Sequence, residues 1–155
     1  MNLNLEDFAD ALLERANQPD LFTARNGIQV TEIHEDYALG ELTVSPESMN
    51  PRKIVHGGCL STLMDAVAGF AACASGRSCV TLNCTMNYIR SVSTSKKVYC
   101  RATKTKAGKT ISVYQCELTD DWGNLVATGT YTYYMKESLM DLLETTKAGQ
   151  ESAEA

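Results

Sequence analysis

Apolar residues stand at Leu5, Phe8, Ala9, Leu12 and Ala16, three and four positions apart. That is the period of an amphipathic helix. Asn4 stands where a cap belongs, and Pro19 and Asp20 stop the run. Residues 28–44 read as two strands with a turn at His34, Glu35 and Asp36, followed by a loop over 45–51. The pattern then changes. Residues 57–75, GGCLSTLMDAVAGFAACAS, are apolar on nearly every side and rich in small residues, with Asp65 their only charge. Such a run predicts a buried helix with close neighbours. After Gly76 the period falls to two, with strands expected at 79–89, 98–105, 110–119 and 125–135. Asp120 to Asn124 is a hairpin connection, and Thr128, Thr130 and Thr132 share one face of the last strand.

The order is helix, two strands, long apolar helix, four strands. It implies an α+β domain in which an antiparallel sheet wraps a central helix. One sheet covers only part of a helix that is apolar all round, so the remainder is expected to be buried by another chain. With no internal repeat or linker, residues 1–136 are expected to form one domain. Residues 137–155 are expected to add a short helix over 138–144 and a disordered tail.

A chain of 155 residues, 44% hydrophobic and 21% charged, can bury a core without disulfides or metals. The formal net charge of -5 argues against nucleic acid as the main partner. The six cysteines include no C-x-x-C pair and no zinc-ligand spacing, so no metal site is expected. The first twenty residues are too polar for a signal peptide, and no apolar run is long enough for a membrane span. A cytoplasmic protein with reduced thiols is the expectation.

The chemistry concentrates in Asn50-Pro-Arg-Lys-Ile-Val-His56-Gly57-Gly58, followed on the helix by Asp65. Two glycines at a helix start let a ligand approach the backbone. The first turn offers free N–H groups and the positive end of the helix dipole. Alone, Asp65 also fits a structural buried carboxylate. The stretch HGGCLSTLMDAVAGFAA, however, resembles the hotdog-fold thioesterases of the phenylacetate-degradation type, which include 4-hydroxybenzoyl-CoA thioesterase. The resemblance runs from about Asn26 to Lys136 and includes Val80 to Asn83 and Tyr88 to Arg90.

The resemblance implies a hotdog fold and hydrolysis of an acyl- or aryl-CoA thioester to the acid and CoA, without metal or prosthetic group. It assigns Asp65 as nucleophile or general base and the Gly57 N–H as oxyanion donor. It places His56 as a loop-positioning or substrate-contacting residue and Gly58 and Thr81 at the substrate, with Thr81 helping to hold the nucleophile or water, and it has Asn50 orient water. Asn83 replaces an aspartate found in some relatives. Arg90 matches a basic position of the family; Arg52, Lys53, Arg77, Lys96 and Lys97 are further candidates for the CoA phosphates. The resemblance also implies a homodimer that assembles to a homotetramer.

Spacing alone reaches a shared site. Gly57 and Asp65 are eight residues apart on one helix, about 12 Å at ~1.5 Å per residue. One carbonyl cannot meet both groups of one chain. An antiparallel pair of helices would bring Asp65 of one copy to Gly57 of the other. The competing readings are a hotdog dehydratase or hydratase using the histidine, and a non-catalytic acyl-CoA binding module.

Overall fold

The computed structural model describes residues 5–139, and side chains from Asp7 onward. Helix α1 (Leu5–Ala16) is followed by a four-residue helix α2 (Phe22–Arg25). Strands β1 (Ile28–Ile33) and β2 (Tyr37–Thr43) precede the central helix α3 (Gly57–Cys73). Strands β3 (Arg77–Tyr88), β4 (Lys97–Ala107), β5 (Ile111–Asp120) and β6 (Leu125–Ser138) complete the order. The six strands form one antiparallel sheet in the order β1-β2-β4-β5-β6-β3.

Alternation along β5 turns Tyr114, Cys116 and Leu118 toward α3, and along β6 it does the same for Tyr131 and Tyr133. These meet Leu60, Leu63, Met64, Val67, Ala68 and Ala71 on one face of the helix. Burial of each large aliphatic side chain contributes about 1.5–3 kcal/mol. The sheet approaches α3 so closely that two strand positions must be glycine. A Cβ on Gly40 would collide with Val67 Cγ2, and one on Gly129 would lie 2.8 Å from Met64 Sδ. Helix α1 buries Phe8, Leu12 and Ala16, and Asn17 ties its end to β1. The Asn17 amide donates to the Val30 carbonyl at 2.8 Å and accepts from the Val30 N–H at 3.0 Å.

Several expectations are corrected. The short helix α2 was not expected. Strand β3 starts and ends slightly earlier than read, and β6 runs on to Ser138. The Asn4 cap, the tail and all but the first two residues of the short helix expected at 138–144 lie outside the described residues; of those two, Ser138 ends β6. The sheet covers only part of α3, as expected of a single sheet. The helix face bearing Ser61, Thr62, Asp65, Ala66 and Gly69 remains open, with Asp65 exposed. Alanine, glycine and cysteine on both faces raise the apolar content without a second apolar ridge. Among the described residues no helix is long and apolar enough to cross a membrane.

Candidate active site

The residues of the H-G-G motif build the start of α3. His56 is its N-cap, with φ -63° and ψ 134°. Its Nδ1 accepts the Gly58 N–H at 2.8 Å. A neutral ring accepting at Nδ1 carries its proton on Nε2. Gly58 is required by that cap, because a Cβ there would lie 2.9 Å from His56 Nδ1. A Cβ on Gly57 would lie 3.3 Å from the exposed Tyr88 ring, which would have to shift by a few tenths of an ångström to take it. The Tyr88 hydroxyl donates to the Gly57 carbonyl at 3.2 Å. The Gly57 N–H has no hydrogen-bond partner among the described residues. It is a free donor at the positive end of the helix.

The loop before it is shaped by Asn50. Its Oδ1 accepts the N–H of Arg52 at 2.9 Å and of Ile54 at 3.5 Å, around Lys53 at φ 60°. The His56 N–H then bonds the Ser48 carbonyl at 2.8 Å. Asn50 thus holds the turn that delivers His56, and its own oxygen is engaged in doing so.

Asp65 lies two turns along α3. Thr81 Oγ1 donates to its Oδ1 at 2.8 Å. The Tyr133 hydroxyl donates to the Asp65 backbone carbonyl at 3.1 Å and lies 3.5 Å from Oδ1. Burial, and then the Asp65 charge, push the Tyr133 phenol well above its ordinary value, so it stays a neutral donor. A bulge in β3 makes this arrangement. Thr81 pairs with Tyr133 and Asn83 with Thr132, leaving Leu82 as an extra residue. Thr81 and Cys84 therefore both line the Asp65 cleft, although they stand three apart in the strand.

That cleft encloses about 440 Å³ among Phe22, Thr62, Asp65, Thr81, Cys84 and Tyr131. A neighbouring cleft of about 270 Å³ holds His56, Gly58, Cys59, Thr62 and again Phe22. A third, of about 430 Å³, lies between α1 and the β1–β2 turn and contains none of the motif residues. Phe22, Tyr88 and Tyr133 were not singled out from sequence; nothing local marks which helix atom a strand tyrosine reaches. Of the candidate cations, Arg77 donates to the carbonyls of Lys109, Met135 and Lys136, and Lys97 pairs with Glu41 at 2.5 Å. Arg90 follows β3, with its N–H on the Val126 carbonyl and its charge helping to hold Asp120 below the ordinary carboxylate range. Arg52 and Lys53 are exposed in the loop before His56.

The fold agrees with comparisons to known proteins. The thioesterase superfamily profile matches residues 53–127. The Mycobacterium tuberculosis protein Rv1847, whose name carries a provisional esterase assignment, is 32% identical over 114 residues, covering 70% of this chain and 81% of the relative. The acyl-coenzyme A thioesterase PaaI of Escherichia coli is 27% identical over 101 residues, 65% of this chain and 72% of PaaI. The PaaI structure superposes with a TM-score of 0.80 at 22% identity, covering 87% of this chain and 98% of that one. A Streptococcus mutans protein, smu.793, solved bound to acetyl CoA, shares the fold with a TM-score of 0.68 at 22% identity, covering 72% and 90%. The chain belongs to the thioesterase superfamily, with the hotdog fold. It is a thioester hydrolase by family.

Proposed function

We propose that the protein hydrolyses an acyl-CoA thioester to the free acid and CoA, at a site completed by two copies of the chain. The observation that carries this reading is the carboxylate of Asp65, held by Thr81 at one oxygen and open to a cleft at the other. With Oδ1 taken, Oδ2 is free to attack the thioester carbon or to deprotonate a water that does so. The carbonyl oxygen becomes negative in either route, and the Gly57 N–H is the donor we assign to it. The CoA thiolate leaves and takes a proton from solvent; in the first route water then cleaves the aspartyl anhydride, releasing the acid and restoring the carboxylate.

The rise of α3 still separates Gly57 from Asp65 by about 12 Å, so the donor belongs to a second copy. Strand β3 pairs only with β6, leaving its outer edge without a partner among the described residues. Val80 and Leu82 on it are 43% and 55% exposed. An open apolar edge is a template for another strand. Antiparallel pairing of two β3 edges would continue the sheet and lay two α3 helices side by side in opposite directions. This homodimer is the unit from which the expected homotetramer would be built. Acetyl CoA bound to smu.793 supports the ligand class. Arg52 and Lys53, beside the His56 loop, are the cations we assign to its phosphates, with Arg90 as the third. His56 already holds the helix cap through Nδ1, which fits a positioning role better than the base of a hydratase.

The test is thiol release from a panel of aliphatic and aromatic acyl-CoAs. Hydrolysis of at least one class is expected, and Asp65→Asn should lower kcat/KM by about 10²-fold or more while keeping the fold. Absence of thiol release across the panel, or a near-normal Asp65→Asn rate, contradicts the reading.

A further inference from the structure

Cys73 is the last residue of α3 and Cys79 the third of β3, and their sulfurs lie 3.8 Å apart. Both are partly exposed. The turn between them contains Gly76 at φ 80°, with open space around it. The other thiols differ. Cys100 and Cys116 are buried among core residues, and Cys59 and Cys84 have no thiol neighbour among the described residues. We propose that Cys73 and Cys79 form a reversible disulfide site, closed by a low-molecular-weight disulfide such as glutathione disulfide, and that closure lowers activity by drawing Thr81 away from Asp65.

The two thiols have different roles. A hydrogen bond from the Cys79 thiol stabilises the Cys73 thiolate, holding Cys73 below the ordinary thiol range, and the Arg15 charge adds to this. The same bond, with burial, pushes Cys79 up. The Cys73 thiolate attacks one sulfur of glutathione disulfide. The S–S bond breaks, and one glutathione leaves as thiolate and is protonated by solvent. Cys79 then loses its proton to solvent and attacks the Cys73 sulfur, expelling the second glutathione. Two protein thiols are oxidised, and one glutathione disulfide is reduced to two glutathiones.

A disulfide needs its sulfurs at about 2.05 Å, so closure draws them together by roughly 1.8 Å from their present separation. Among the described residues strand β3 is held by β6 alone, and its outer edge is the one assigned above to the partner's β3. Thr81 lies two residues beyond Cys79, and its bond to Asp65 is 2.8 Å long. An O–H···O bond of that kind weakens beyond about 3.0 Å. The effect on activity rests on the function proposed above; formation of the disulfide does not.

The test incubates the full-length protein with glutathione disulfide, alkylates the remaining thiols and maps the peptides by mass spectrometry. The expected result is loss of two alkylatable thiols, a Cys73–Cys79 cross-link, and a fall in acyl-CoA hydrolysis on the order of tenfold or more, reversed by dithiothreitol. Cys73→Ser and Cys79→Ser, each checked by circular dichroism, should keep basal activity and lose the response. The closure rate should rise with pH in a range below that of an ordinary thiol. Six alkylatable thiols after oxidation, a cross-link mapped elsewhere, or a closed Cys73–Cys79 bond with unchanged activity overturns the proposal. Should the protein hydrolyse no acyl-CoA, the thiol count and the map still decide whether the site exists.

Discussion

Thr81 donates its hydroxyl proton to Oδ1 of Asp65, and that bond sets which carboxylate oxygen is left to react. Valine at position 81 keeps the shape and removes the donor. A hydrogen bond to a charged group is worth ~1.5–3 kcal/mol, so Thr81→Val should lower kcat about tenfold or more, with Thr81→Ser restoring most of the loss. Steady-state kinetics on the best acyl-CoA checks this; a kcat unchanged in Thr81→Val separates Thr81 from the chemistry. At the helix start, Gly58→Ala sets a methyl against His56 Nδ1. The ring must turn away and the cap is lost, at a cost of about 0.5–2 kcal/mol. Thermal unfolding should show the loss, together with lower activity because the Gly57 N–H is re-aimed. Full stability in Gly58→Ala would show that the cap contributes little.

At the scale of elements, α2 places Phe22 on the rim of both clefts, 68% exposed. An exposed aromatic at a cleft mouth is a wall for an acyl group to lie against. Phe22→Ala should raise KM for bulky or aromatic acyl-CoAs more than for acetyl-CoA, with kcat for the short substrate nearly unchanged. Equal effects on all substrates would place Phe22 outside the acyl site. Helix α2 was not legible because four residues are too few to show a period, and none of them is buried. The long helix α3 and the alternation of β5 and β6 were legible, since each repeats its pattern over many residues. Strand β3 shows the limit. Its bulge at Leu82 breaks the period, so the shared orientation of Thr81 and Cys84 has no local signature. The motif residues Gly57, Gly58 and His56 were visible as a cluster, but the neighbours of both glycines are side chains the pattern does not connect, Tyr88 and the His56 ring itself.

At the scale of the whole molecule, the sheet covers one face of α3 and leaves Asp65 on the other, beside a β3 edge with no partner among the described residues. The central claim is that a working site joins Asp65 of one copy to the Gly57 N–H of another. The most direct measurement pairs two defective chains. Asp65→Asn removes the carboxylate. Gly57→Pro removes the N–H at a first-turn position that accepts proline, and the ψ of 134° at His56 is already the conformation favoured before proline. Each homodimer, verified as folded and assembled, should be nearly inactive. Random co-refolding in equal amounts makes half the dimers mixed, and half of their sites carry neither lesion, so about a quarter of wild-type activity should return. Verified mixed dimers that remain inactive would contradict both the shared site and the antiparallel arrangement of the central helices.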